Sequence, residues 1–526
     1  MKCILIFMLV LISVPICLTS NILYLQLLES HSHHFWNSAI SDELAKRGHN
    51  ITILSPDSEA KPPKGVHYIL LENMYDTEYK TFYKGLLNTT ESMNPFREAL
   101  AIVECCEVMC SAAVRTMGFQ TLLNYPDDFK FDLILHDFSV GSCFLPFIHK
   151  FNYPPMIAVT AYGHPSYLNQ FIADHHHYSY VPHNLLPFND EMTFSQRLLN
   201  FLIYMQEFII FKYFLNPRLD EIATEYFGPD FPSVSELEKR TSLAFVNTNS
   251  AIDYHVSHPE NVIPVGGLQI KDPKPFPQEL KSFIDSSKKG TVIFALGSNI
   301  RSDCIPQMKK NLILKVLSDL PDYNFLWKFE SNISESDLPK NVMIRSWIPV
   351  SDVLAHPKVK AIFFHGGLLT THEAIWRSVP MIIMPFGLDQ RKNLIKTKRF
   401  GISEGIEYHS LNYDDLKTTI LKVLKEPSYA MNMQKVSARF KDQKEKPLDR
   451  AIWWIEWLLR NPDCDHLKSP VFRLGLIVGN SYDIIAFIIL LVTVILIISL
   501  KLFSYCIRKC SRNIYSEETM PHRKSE

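Results

Sequence analysis

From Trp347 to Asn393 the chain reads WIPVSDVLAHPKVKAIFFHGGLLTTHEAIWRSVPMIIMPFGLDQRKN, and no other stretch limits the fold as tightly. Lys360 to Phe364 has the length and apolar content of a buried parallel strand, and His365-Gly366-Gly367 is a turn with little side-chain bulk. Thr370 to Trp376 then begins a helix, with good N-caps among its first residues. A second strand spans Pro380 to Pro385. Strand, turn, helix and strand in this order define a βαβ unit. Such a turn aims backbone amides at an anion, and the positive end of the helix dipole makes phosphate the natural occupant. Glu373, one turn in, is placed to accept from ribose hydroxyls. Trp347 offers a flat face to a base, and Asp389-Gln390 is an acceptor-rich pair suited to sugar hydroxyls.

The unit repeats along the chain. Ile22 to Leu28, Asn50 to Ser55, Phe131 to His136, Pro155 to Val159 and Leu243 to Asn247 read as strands, with a helix from His34 to Arg47. GGLQIKDPKPFP opens an aperiodic stretch, taken with the residues after it as a linker over 266–285. Strands then recur at Thr291 to Leu296, ahead of a Gly297-Ser298 turn, at Asn324 to Phe329 and at Val342 to Ile344. Two doubly wound α/β domains are expected, over 21–265 and 286–470, and 526 residues with 47% hydrophobic content can build a core in each. Phe194 to Phe214 is an amphipathic helix, read as pocket lining or core ahead of membrane contact.

Residues 1–20 have the layout of a secretory signal, and 484–500 is an uncharged apolar run about 26 Å long as a helix, enough to span a bilayer. Lys501, Arg508, Lys509 and Arg512 place the 501–526 tail in the cytosol and all that precedes the span in the lumen. Arg523-Lys524 resembles a dilysine retrieval signal, so the expected location is the endoplasmic-reticulum membrane, single-pass type I. Asn88 and Asn332 are the expected glycosylation sites; Asn50, opening a core strand, is expected to be inaccessible. Six of the ten cysteines lie in the lumenal part, with Cys105, Cys106 and Cys110 on one helix and Cys143 nearby, and their pairing is left open. No CxxC pair suggests zinc, and His175-His176-His177 lacks a second cluster, so no metal site is assigned. A net charge of −1 without a basic stripe gives no reason to expect nucleic acid. There is no G-x-S-x-G elbow, Walker loop or G-x-G-x-x-G after the first strand.

The signature resembles that of the UDP-glycosyltransferases, and the resemblance covers the chain from Asn21 to about Pro470 and the span after it. It implies a GT-B fold, with the helix from Lys446 to Arg460 crossing back to the first domain. It also implies that residues at Trp347, His365, Thr370, Glu373, Asp389 and Gln390 hold the base, diphosphate, ribose and hexose of a UDP-sugar, with Ser298, Gly367 and Thr371 joining the donor site. One family position departs: the Gln that commonly follows Trp-Ile-Pro is Val350. The family pairs a Ser-His ahead of an Arg-Gly-His-terminated helix with an Asp closing a later strand. Here these are His33, before Arg47-Gly48-His49, and Asp137. Both would sit at the carboxyl ends of strands, where chemistry gathers in doubly wound domains. His33 would take the proton of a hydroxyl acceptor, and Asp137 would orient the imidazole and stabilise its charged form.

The expected function is therefore inverting transfer of a hexose from a UDP-sugar, a co-substrate rather than a cofactor, to a hydroxyl of small lipophilic acceptors, as in detoxification. Mammalian glucuronosyltransferases of the family tend to carry a base just before the Asn at Asn247. Val246 stands there, so UDP-glucose is expected ahead of UDP-glucuronic acid. The rival is a noncatalytic GT-B protein that binds a UDP-sugar or lipophilic ligand; it would have no need of both His33 and Asp137. A homo-oligomer is compatible with either reading.

Overall fold

The computed structural model describes residues 19–76, 94–173, 176–331, 333 and 338–518. The leader up to Leu18, the Asn88 and Asn332 sequons, His175 and the Arg523-Lys524 pair lie outside the described residues.

Two all-parallel sheets organise the chain up to Lys468. The first comprises β1 (Asn21–Leu25), β2 (Asn50–Ser55), β3 (Val66–Leu70), β4 (Leu133–Asp137), β5 (Met156–Val159), β6 (Thr241–Val246) and β7 (Val262–Pro264), in spatial order β3-β2-β1-β4-β5-β6-β7. From β1 the chain builds outward to β3, then returns to lay β4 on the other side of β1, in register Leu25↔His136. That reversal opens a crevice beyond the carboxyl ends of β1 and β4. The second sheet repeats the plan with β8 (Thr291–Ala295), β9 (Asn324–Lys328), β10 (Val342–Arg345), β11 (Val359–Phe364), β12 (Met381–Ile383) and β13 (Ser403–Gly405), in order β10-β9-β8-β11-β12-β13. Its reversal lies between β8 and β11, so Gly297-Ser298 and His365-Gly367 emerge side by side.

The helices that matter for the site are α1 (His31–Lys46), α2 (Pro95–Ala113), α3 (Phe194–Ile210), α4 (Gln278–Asp285), α5 (Leu368–Trp376), α6 (Gln390–Arg399) and α7 (Pro447–Arg460). On α7, Ala451, Ile452, Ile455 and Leu458 are fully buried in one core with Ile22, Trp36, Ile40 and Leu44 of the first sheet and α1. Arg47 to Glu456 at 3.3 Å joins the same two helices.

Several expectations need correction. Strands β3, β7 and β13 are short edge or near-edge strands without a long apolar run. Helix α1 starts at His31, after an extended Ser30, so its histidines occupy the first turn. Helix α5 starts at Leu368, with Gly367 as N-cap. Within the stretch read as linker, α4 buries Leu280 and Ile284 in the core beneath β8 and β11. Asn50 is exposed although it pairs with Asn21 at the start of the β1–β2 ladder, and its side-chain amide donates to Asn21 Oδ1 at 3.3 Å. Helix α3 turns Ile203, Tyr204, Glu207 and Ile210 inward, yet Phe194, Leu198, Phe201, Leu202 and Ile209 are exposed. The pairing left open by the sequence is answered for two cysteines: Cys110 and Cys143 form a disulfide.

Residues Ser469–Glu526 form a separate unit. It contains a helix at Val471–Gly479, broken at Gly475, and α8 (Tyr482–Glu518), which is long and apolar enough to cross a membrane.

Candidate active site

The segments that follow β1, β5, β8, β10, β11 and β12, with Lys328 at the end of β9, line one cleft of about 760 Å³. Nine of the residues singled out above meet there: His33, Ser298, Trp347, His365, Gly367, Thr370, Glu373, Asp389 and Gln390. Asp137 lies just behind its wall. Thr371 does not face the cleft; it is fully buried, and its hydroxyl donates to Gly367 O at 3.0 Å. Its amide also closes the first turn onto Gly367 O. The amides left open by helix geometry are therefore those of Leu368, Leu369 and Thr370, one residue earlier than expected.

On the second-sheet side, His365 is wedged between two glycines. A Cβ on Gly297 would stand 2.6 Å from its Cε1, and one on Gly367 would stand 2.5 Å from its Nε2. Burial, helped by nearby Lys328, pushes its imidazole down to about 4, so it is neutral at physiological pH. Glu373 is 8% exposed, and burial pushes its carboxyl up to about 7 against a bond from Ser351. Trp347 is 67% exposed, with one face open to a planar ligand and Lys328 Nζ 5.9 Å from its ring. Val350, in the place of the family's Gln, also lines the cleft. Asp389 N-caps α6 and accepts from Asn393 Nδ2 at 2.9 Å, and Gln390 Oε1 accepts from the amides of Phe386 and Gly387.

On the first-sheet side, the three neighbouring histidines differ in their surroundings. His31 bonds Asp57 at 2.6 Å, which raises its pKa against the opposing effect of burial. Burial lowers His33, with the charge of Asp137 opposing, and its ring packs edge-on against Tyr162 at 4.8 Å. Burial also lowers His34, whose Nε2 lies 3.3 Å from Ser38 Oγ. A base must be neutral before it can accept a proton. Burial favours the neutral form of His33 beside a carboxylate, whereas the bond to Asp57 favours the charged form of His31. Asp137 does not bond His33 directly here: its Oδ2 accepts from Asn37 Nδ2 at 2.8 Å and its Oδ1 from Ser139 N at 3.0 Å. It reaches His33 through its charge. His136 faces away, packed near Phe171.

A family model described as UDP-glucoronosyl and UDP-glucosyl transferase matches residues 23–515. The chain belongs to that family. It is 30% identical over 496 residues to UDP-glycosyltransferase UGT5 of Dactylopius coccus, and 27% identical over 503 residues to human UDP-glucuronosyltransferase 2B7, with 92% of both chains covered in each case. Its fold is similar to the glycotransferase of kitacinnamycin (TM-score 0.56, 15% identity, 84% of this chain and 99% of that one) and to the glycosyltransferase VinC in complex with DTDP (TM-score 0.56, 15% identity, 84% and 100%). The fold is GT-B, and the protein is a glycosyltransferase.

The sequence reading of this transferase passed over four side chains, two that line the cleft and two beside it. Lys328, ending β9, donates to Gly297 O at 2.8 Å and is the cation nearest the turn that would hold a diphosphate. Asn299 accepts from Ser30 Oγ at 3.2 Å across the cleft. Asn37, one turn beyond His33, ties Asp137 to Tyr24. Lys392, one turn into α6, donates to Asn184 Oδ1 at 2.9 Å, and burial pushes it down to about 8. For Lys328 and Lys392 the available signal was a lysine just past a strand end or one turn after Asp389. Val246, the basis of the donor argument, is fully buried in the first-sheet core and does not face the donor.

Proposed function

We propose that this transferase moves glucose from UDP-glucose to a hydroxyl of small lipophilic acceptors, as in detoxification. The supporting observation is that His33 lines the same cleft as the signature residues of the second sheet. The acceptor oxygen attacks the anomeric carbon as His33 takes its proton. The bond from that carbon to the diphosphate oxygen breaks, UDP leaves, and the configuration inverts. Asp137 stabilises the imidazolium through its charge. The amides of Leu368, Leu369 and Thr370, with His365, Gly367 and Ser298, hold the diphosphate. Trp347 stacks on the base, Glu373 accepts from the ribose, Asp389 accepts from the hexose, and Gln390, whose Oε1 is taken by two loop amides, donates to it from Nε2.

For glucose over a uronic acid, the supporting feature is Asp389 itself: a carboxylate in the hexose wall repels a second one. A UDP-glucuronate reading is favoured by one observation, the Lys392 ammonium, which lines with Asp389 the cavity adjoining the cleft. Relatives carry both names, a UDP-glucosyltransferase 2 of Dactylopius coccus and several UDP-glucuronosyltransferases.

The proposed setting is the endoplasmic-reticulum membrane, type I, with residues before the span lumenal and carbohydrate at Asn88 and Asn332. Incubating membranes that contain the protein with a panel of UDP-sugars and hydroxyl acceptors, and reading conjugates by mass, tests the whole reading. Absence of any hexose conjugate across phenols and aliphatic alcohols would end it.

A further inference from the structure

The loop that leads into Asp389 and Gln390 has three successive amides, and all three are engaged. Gln390 Oε1 accepts from Phe386 N at 2.7 Å and from Gly387 N at 3.4 Å, and Glu98 Oε1 accepts from Leu388 N at 2.7 Å. The first two bonds are local. The third spans 290 positions and comes from the first turn of α2, on the acceptor side of the molecule.

Glu98 is only 4% exposed. A carboxylate at that depth is costly unless it is bonded, so the Leu388 amide and the positive end of α2 account for its presence there. Burial pushes its carboxyl up, while the Leu388 amide and Arg391 pull it back. Leu388 has φ +56°, a left-handed conformation that a non-glycine residue keeps when its surroundings hold it. Asp389 and Gln390 follow immediately, so the geometry of this one residue sets where they stand.

Helix α2 has two further attachments. Its Ile102, Cys106 and Met109 line an apolar cavity of about 90 Å³ whose wall also includes Leu388 and Asp389. Its Cys110 is bonded to Cys143, on the segment that follows Asp137.

We propose that Glu98 is a positioning residue for the donor sugar: from the acceptor-side helix it fixes the Leu388 amide, and with it the placement of Asp389 and Gln390 against the hexose. The proposal rests on the reading of those two residues as the hexose site. Because α2 also lines the apolar cavity, hexose placement and acceptor seating share one strut.

The test compares full-length wild type with Glu98→Ala in calorimetric titrations of UDP and of the UDP-hexose that wild type turns over, together with steady-state kinetics. UDP affinity should stay within about twofold. The extra affinity contributed by the sugar should be lost, and kcat/KM for the donor should fall about ten- to a hundredfold, the scale of one hydrogen bond to a charged group. Glu98→Gln keeps an oxygen that can accept from Leu388 and should recover most of the loss. Wild-type donor kinetics in Glu98→Ala would overturn the proposal. So would an equal loss of UDP affinity, the mark of a general structural defect, or a Glu98→Gln protein as impaired as the alanine variant. If Glu98→Ala does not fold, Glu98→Asp, one methylene short of the amide, replaces it with the same expectations. A folded wild type that binds UDP yet transfers nothing would remove the underlying site reading before any variant is compared.

Discussion

Asn37 donates to Asp137 at 2.8 Å from a position one helical turn beyond His33, so the carboxylate behind the proposed base is held by the same helix that carries the base. His33→Ala should abolish conjugation of hydroxyl acceptors and leave UDP affinity unchanged, because the nucleotide side chains belong to the other sheet. Asp137→Asn should cost up to about ten-thousandfold in kcat, the scale seen for orienting carboxylates elsewhere. Asn37→Ala should fall between wild type and that. Near-normal turnover by His33→Ala with both a phenol and an aliphatic alcohol would remove the base assignment.

Donor binding should depend on pH through Glu373. Its folded pKa is raised to about 7, and in the proposed role the ionised form would accept from the ribose hydroxyls. Donor affinity should therefore rise as pH increases from 6 to 8, where the carboxylate forms. Glu373→Gln should flatten the profile, and Glu373→Ala should raise donor KM about ten- to a hundredfold. A wild-type donor KM constant across that range would show that Glu373 is not the ribose acceptor.

Gly297 and Gly367 leave room for the His365 ring. Gly297 also has φ +94°, so Gly297→Ala adds backbone strain to the 2.6 Å clash with His365. Donor KM should rise at least tenfold, with a smaller loss of thermal stability than a core deletion causes. Thermal shift with and without UDP separates the two effects: the UDP-induced increment should shrink more than the unliganded midpoint falls.

The strands that position the site were legible because each is a compact apolar run, as in Ile22 to Leu25 or Ile362 to Phe364. The His-Gly-Gly turn and the Asp389-Gln390 pair were legible because their chemistry is local. Asn37 and Glu98 were not, since each acquires meaning only from a partner 100 or 290 positions away. Val246 misled for the converse reason: it adjoins Asn247 in sequence, but its side chain sits in the β6 core. Thr371 stands beside Thr370, yet helix geometry commits it to Gly367 and leaves the open amides one residue earlier.

The single lumenal orientation expected from the basic residues after the span makes a prediction about exposure. Protease added to sealed microsomes should trim only the tail after about Lys501, and an epitope placed near Lys289, which is exposed, should survive until detergent is added. Loss of that epitope in intact vesicles would invert the topology.

The donor hexose turns on the balance between Asp389 and Lys392. Lys396, the next lysine along α6, is matched by Asp253 at 2.5 Å, so it brings little net charge to the wall. Among the described residues Lys392 has no such close ion pair: it donates to the neutral Asn184 and lies 5.9 Å from the Tyr254 ring, and Asp253 and Asp389 act on it only through their charge. Burial pushes it down to about 8, so it is held less firmly as a cation than an exposed lysine. A bound uronate would restore that charge, whereas glucose has no use for it. Wild type should turn over UDP-glucose faster than UDP-glucuronate, and Lys392→Met should leave the glucose rate within a few-fold while removing what glucuronate turnover there is. Faster wild-type turnover with the uronic donor, lost on Lys392→Met, would establish the uronate reading and make Lys392 its determinant.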